Sequence, residues 1–306
     1  MPVAVGQGND AIEAVMISGV WVPLVTPFKD GQVDLASYRR LIEHYLACGV
    51  AGLFPLGTTG EAPTLDADEA DAVVEATVET VADRLPVFVG IGGNATHKVV
   101  KTIDRLSRFE FPGIVSVCPY YNRPTQGGLL QHFAALSDAT DRQILIYNIP
   151  YRTSVNLAND TLLRLAERRN IVGVKDSSGS IAQSLELLAM KPTGFSVLTG
   201  EDALYFTMLC NGADGGILAA AHLATERFVE IARLITANDH VGARTVWSSL
   251  QGFVSKLFQE ANPMPIKHCL WRQGLIASPE CRLPLSSISD GLAQELDHWL
   301  AKAKAA

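Results

Sequence analysis

The sequence predicts a (β/α)8 barrel carrying a C-terminal helical extension. Eight short apolar runs, each ending in Gly, Pro or Asn, recur through residue 219 of the 306-residue chain. Helical periodicity fills the intervals, so strand starts recur roughly every 20 to 35 residues, the spacing of repeated βα units. From residue 222 onward only helical patterns remain. Eight such units point to a closed barrel rather than an open sheet.

The strands are expected over 20–25, 52–56, 87–91, 114–117, 144–147, 171–174, 195–198 and 216–219. Their near-continuous apolar character suits strands buried on both faces. The first helix is expected over 35–47, with Leu41, Ile42, Tyr45 and Leu46 on one face and Asp34 as its N-cap. The second covers 66–82, where Val73, Val74, Thr77, Val78 and Val81 form a stripe. Further helices are expected over 96–106, 128–137, 158–167, 181–190 and 203–210, then over 222–236, 240–259, 265–273 and 287–303. Residues 19–236 thus read as the barrel and 237–306 as a helical domain packed on it, with no low-complexity linker between them. Residues 1–18 read as a loose leader: they lack a basic n-region, and Asp10 and Glu13 stand where a signal peptide is apolar.

Composition narrows the function classes. The chain is 48% hydrophobic and 19% charged with net charge −7, and no block of like charges interrupts it. That pattern argues against a nucleic-acid footprint or a membrane role. Five widely spaced cysteines, Cys48, Cys118, Cys210, Cys269 and Cys281, form no Cys-x-x-Cys and suit reduced thiols in a cytoplasmic compartment.

The most informative side chain is Lys175, at the end of the apolar run Ile171, Val172, Gly173, Val174. Burying an unpaired ammonium is costly unless it loses its proton, and a neutral amine attacks carbonyls to form Schiff bases. The alternative is a lysine just past the strand end that snorkels to water. In a (β/α)8 barrel, chemistry sits at the C-terminal ends of the strands. After the second strand, Gly57-Thr58-Thr59-Gly60-Glu61 offers backbone N–H groups and two hydroxyls that suit a small carboxylate, or is an ordinary glycine-rich turn. After the fourth and fifth strands stand Tyr120, Tyr121, Asn122 and Arg123, then Tyr147, Asn148, Ile149, Pro150, Tyr151 and Arg152. A tyrosine near a neutral lysine can shuttle protons, and Arg152 offers a planar fork for a second carboxylate, unless it forms a surface ion pair.

Rival signals are weaker. Gly90-Ile91-Gly92-Gly93-Asn94-Ala95 matches a dinucleotide-binding fingerprint with Glu110 about 20 residues on, but falls on the third strand of eight. The seven histidines are scattered, with no zinc spacing and no phosphate-binding Gly-x-x-x-x-Gly-Lys loop.

In these residues and their order the chain resembles the dihydrodipicolinate synthase / N-acetylneuraminate lyase family of Schiff-base barrels. The motifs are Thr26-Pro27-Phe28, Gly57-Thr58-Thr59-Gly60-Glu61, Pro119-Tyr120-Tyr121-Asn122-Arg123-Pro124, Tyr147-Asn148-Ile149-Pro150, Gly173-Val174-Lys175-Asp176 and Asn262-Pro263-Met264-Pro265. The resemblance implies that Lys175 forms the imine with pyruvate and that Tyr147 carries protons to and from it. It implies that Thr58 and Tyr121 complete the relay, with Tyr121 lent across a dimer interface. Thr59 matches the cradle for the pyruvate carboxylate, Arg152 the arginine holding aspartate semialdehyde, and Gly200 and Ile217 positions lining the pocket. It further implies a homodimer or homotetramer and no cofactor or metal.

Three departures bear on the substrate. Asp176 replaces the usual Glu, Ser154 replaces a frequent Gly, and residues 215–222 depart from the usual strand-eight pattern, ending in His222. This last segment is expected to face the second substrate. Two enzyme readings follow: a synthase joining pyruvate to aspartate semialdehyde, or a sibling aldolase or dehydratase acting on a 2-keto-3-deoxy sugar acid. A non-catalytic keto-acid sensor is a third reading, disfavoured because every relay residue is present. In lysine-inhibited synthases the effector pocket has polar residues where this chain has Ala67 and Ala70, and Glu where it has Lys98, so no lysine feedback is expected.

Overall fold

The computed structural model describes residues 17–305. Eight parallel strands form the barrel: β1 (Gly19–Val22), β2 (Gly52–Leu53), β3 (Phe88–Gly90), β4 (Gly113–Val117), β5 (Gln143–Asn148), β6 (Ile171–Asp176), β7 (Ser196–Thr199) and β8 (Gly215–Ile217). They lie in the order β2-β1-β8-β7-β6-β5-β4-β3, and a parallel bridge from Leu53 to Val87 brings the two outer strands together. All eight expected strands are present.

Among the described residues twelve α-helices accompany them. The ring begins with α1 (Leu35–Ala47), α2 (Ala67–Val81), α3 (Thr96–Leu106) and α4 (Gln126–Asp138). It continues through a single turn α5 (Pro150–Thr153), α6 (Asn159–Leu165), α7 (Ile181–Met190), α8 (Tyr205–Cys210) and α9 (Thr225–Thr236). The C-terminal segment adds α10 (His240–Leu257), α11 (Met264–Arg272) and α12 (Asp290–Ala305). Asp34 caps α1 by accepting from the Ser37 N–H, as expected, and Asp66 with Glu69 forms a reciprocal capping box on α2.

The chain departs from expectation at three places. The helix expected from residue 222 starts at Thr225, because Ala224 is left-handed (φ 52°) and breaks the helical path. Ala220–His222 is instead a tight turn following β8. A two-stranded antiparallel ribbon, Phe28–Lys29 with Gln32–Val33, was not expected; its Asp30-Gly31 turn has positive φ at both residues, the hairpin signal of an Asp-Gly pair. Most of the expected leader lies outside the described residues, but Ile17 is already buried, its N–H donating to Ser196 Oγ at 3.0 Å.

Period-two alternation builds two apolar layers. On β5, Ile144 and Ile146 face the helices, whereas Leu145 and Tyr147 face the barrel interior with Trp21, Phe54, Phe88 and Ile217. A register shift opposite Ile144/Leu145 pairs Leu145 with Gly173, Tyr147 with Lys175 and Asn148 with Asp176. That shift turns Lys175 inward. The C-terminal helices pack on the barrel through α10 against α8 and α9, and Phe253 stacks on Trp299 at 3.5 Å between centroids. No helix among the described residues is long and apolar enough to cross a membrane.

Candidate active site

A cavity of about 490 Å3 opens at the C-terminal ends of the strands, where a (β/α)8 barrel keeps its chemistry. Its wall includes Phe54, Thr58, Glu61, Tyr120, Tyr147, Arg152 and Asn262. A wider surface groove of about 950 Å3 touches α1 and α2, but its Arg39 and Arg84 are already paired with Glu79 and Glu43.

Lys175 does not snorkel. It is the fifth residue of β6 and only 5% exposed. Its Nζ stands 4.2 Å from the ring centre of Tyr147 and 5.3 Å from that of Phe54. Burial pushes its pKa down from 10.5 to about 8, with Arg152 adding to the fall and Asp202 and Glu201 opposing it. At pH 7 roughly a tenth of such amines is neutral, against about three in ten thousand for an ordinary lysine. Desolvation thus raises the neutral-amine fraction about three hundredfold.

The strand ends supply the rest. A Cβ at Gly200 would stand 2.2 Å from Ser177 Oγ and 2.7 Å from Lys175 Cε, so only glycine lets the lysine stem and the neighbouring strand meet. Ser177 Oγ is itself buried without a hydrogen-bond partner. Tyr147 is buried and its phenol is raised, first by burial and then by Tyr151. Glu201, next to Gly200, is pushed up to about 7 by burial and by the adjacent Asp202.

The glycine-rich turn after β2 is fixed by backbone bonds from Gly60 N–H to Gly57 O and from Glu61 N–H to Thr58 O, both 3.1 Å. Thr58 lines the cavity; Thr59 lies behind it, 3% exposed, its Oγ1 accepting from Asn262 Nδ2 at 2.9 Å. Ile217 is buried in the barrel interior beneath the cavity. Arg152 reaches the wall from α5.

Tyr121 is the exception. It is 89% exposed, in a left-handed conformation (φ 75°), and off the cavity wall, where Tyr120 stands in its place. Within one chain the structure therefore brings together Lys175, Tyr147, Thr58, Thr59, Arg152 and Gly200, and leaves Tyr121 outside.

Of the strand-eight segment 215–222, Ile217 lies in the barrel interior with Tyr147 and Phe54, below the cavity. His222 faces away from it, accepting from Val25 N–H at 3.1 Å and pairing through Nδ1 with Ala219 O at 2.8 Å. The glycines of the dinucleotide-like run serve barrel packing: Gly90 and Gly92 line the cavity, and a Cβ on Gly92 would stand 2.7 Å from Val117 Cγ1. Among the described residues no cluster of three His, Cys, Asp or Glu could hold a metal ion.

The sequence reading gave no role to Glu61, Lys267, Asn262 or Glu201. Glu61 and Asn262 stood inside quoted motifs, which was the available signal; Lys267 had none.

Comparison with known proteins agrees with this fold. Residues 16–303 match the dihydrodipicolinate synthetase family. A protein of Clostridium acetobutylicum named 4-hydroxy-tetrahydrodipicolinate synthase 2 is 51% identical over 284 residues, covering 93% of this chain and 99% of that one. The crystal structure of dihydrodipicolinate synthase from Thermotoga maritima superposes with a TM-score of 0.92 at 38% identity, covering 94% of this chain and 99% of its own. That of the Acinetobacter baumannii enzyme complexed with pyruvate superposes with a TM-score of 0.91 at 35% identity, covering the same shares. The eight-stranded barrel, its buried strand-end lysine and this similarity along nearly the whole sequence lead to one conclusion: the chain belongs to the dihydrodipicolinate synthetase family, whose members are lyases of the class I aldolase type.

Proposed function

We propose that the chain is a 4-hydroxy-tetrahydrodipicolinate synthase, condensing pyruvate with aspartate semialdehyde through an imine on Lys175. The observation that carries this reading is a buried amine with a lowered pKa, in register with Tyr147, under a cavity that also presents Thr58 and Arg152.

The neutral Lys175 amine attacks the keto carbon of pyruvate, and the resulting carbinolamine loses water to leave the imine. The imine nitrogen is an electron sink, so the adjacent methyl carbon gives up a proton and the enamine attacks the aldehyde carbon. Tyr147, whose ring centre stands 4.2 Å from the Lys175 nitrogen, moves these protons, with Thr58 on the same cavity wall. Tyr121 would join the relay from a second copy of the chain, since its own cavity excludes it. Thr59 and the turn around it receive the pyruvate carboxylate, and Arg152 receives the carboxylate of the semialdehyde as a bidentate fork. Gly200 and Ile217 shape the floor. None of these steps calls on a metal or cofactor. On this reading the enzyme works in the cytoplasm as a homodimer or homotetramer, and its partners are these small molecules.

The sibling reading, a sugar-acid aldolase or dehydratase, leaned on the strand-eight departures. Ile217 of that segment lies in the barrel interior below the cavity, and the similarity to proteins named as synthases favours condensation. The test compares turnover of pyruvate plus aspartate semialdehyde with cleavage of a panel of 2-keto-3-deoxy acids. Condensation is expected; a silent synthase assay beside brisk cleavage would reject it. Borohydride reduction with pyruvate should add the reduced adduct's mass at Lys175 and nowhere else.

A further inference from the structure

We propose that the buried Glu61–Lys267 ion pair is a positioning element for the keto-acid carboxylate, through which the C-terminal helical segment holds the Thr58–Thr59 turn in its anion-binding shape. The inference rests on the imine reading above and adds a residue that lies outside the barrel.

Lys267 belongs to α11 and is completely buried, and Glu61 ends the glycine-rich turn at 3% exposed. Their side chains hydrogen-bond directly. Both carboxylate oxygens are occupied: Oε1 accepts from Lys267 Nζ, and Oε2 accepts from Arg282 N–H at 2.9 Å. Lys267 also donates to Glu280 O at 2.8 Å, and its Nζ stands 4.1 Å from the centre of the Phe28 ring. The carboxylate is thus gripped by two separate points of the segment after α10.

The backbone of Glu61 shows what that grip achieves. Its φ of 52° is left-handed, a region that residues with side chains leave unless the surroundings hold them there. In that conformation its N–H closes onto Thr58 O, and its O accepts from the Thr64 N–H and hydroxyl, each at 2.9 Å. The same segment supplies a second tie two residues earlier, from Asn262 Nδ2 to Thr59 Oγ1. Both ties end on the turn proposed to bind the carboxylate.

Stability alone is a poor account of the pair, because desolvating two charges largely offsets their attraction and an apolar pair of similar volume often does as well. Position is a better one. A carboxylate held equally in ground and transition states contributes to KM and not to kcat, so loosening its cradle has a defined kinetic signature.

The test uses the full-length enzyme with Lys267→Met and, should that variant unfold, the Glu61→Gln/Lys267→Met pair, which leaves no unpaired charge. We expect KM for pyruvate to rise about tenfold or more with kcat within about threefold of wild type. The pyruvate concentration giving half-maximal borohydride trapping should rise in parallel. A merely structural pair would lower the unfolding midpoint and leave both unmoved. KM within about twofold of wild type in a folded variant, or a fall in kcat at constant KM, would overturn the proposal. Wild-type enzyme trapped alongside separates the two ideas: no adduct there defeats the imine reading, whereas an adduct with unmoved half-saturation in the variants defeats only the ion pair.

Discussion

Tyr147 and Lys175 are register partners across β5 and β6, and the amine nitrogen of one stands 4.2 Å from the ring centre of the other. Parallel partners point to the same face of a sheet, so a phenol and an amine are set side by side by backbone pairing alone. The same pairing keeps the amine dry. Its depressed pKa and its nearest phenol therefore have one structural origin.

The first prediction concerns pH. On the imine reading Lys175 reacts when neutral, so kcat/KM for pyruvate should rise about tenfold per pH unit on the acid side and level off above about 8. Glu201 raises the Lys175 pKa by its charge, and Glu201→Gln should move the acid limb to lower pH. A limb that stays in place, measured by initial rates across pH 6 to 9, would show that another group titrates.

Tyr121 gives the second. Being exposed on its own chain, it should act on the cavity of a neighbour. Tyr121→Phe and Lys175→Ala homo-oligomers should both be nearly inactive. Mixed and reassembled one to one, they should regain roughly a quarter of wild-type activity, because half of randomly formed isologous dimers carry one intact site of two. No recovery in subunits shown by mass spectrometry to exchange would place Tyr121 outside the relay.

The third is a stability profile. His222 is buried and neutral, its pKa pushed down to about 4 by desolvation. Its contribution to stability is fully present above the unfolded value near 6.5 and is lost as pH falls through 4. That loss amounts to about 3 kcal/mol at most. His132, also lowered to about 4 by burial, adds to the same window. Urea unfolding midpoints should fall between pH 6.5 and 4, and His222→Gln should flatten part of that slope.

The fourth concerns regulation. Lys98 and Asn94 are both exposed at the start of α3, so a cationic effector approaching this surface meets a like charge. Millimolar lysine should leave initial rates unchanged. Marked inhibition at that concentration would be the contrary result, and Lys98→Glu offers the variant in which sensitivity could appear.

The strand count, the helix ring and the identity of Lys175 were all legible in the chain, because they rest on local patterns: apolar runs of strand length, helical stripes and turn residues. Asp34 and Asp66 announced their helices through side chains that cap nearby N–H groups. Thr58, Tyr147 and Arg152 were legible as residues that follow apolar runs, which a barrel gathers at one end.

Only the tertiary structure decided that Lys175 points inward, since the register shift opposite Ile144/Leu145 sets its face and no local pattern encodes it. It also decided that His222 turns to Val25 and Ala219, that Tyr121 stands exposed off the cavity wall, and that Lys267, 206 positions from Glu61, meets the turn at the second strand. These are contacts between segments distant in sequence. Periodicity reports which face of an element is apolar, but it carries no information about which remote charge that face will meet.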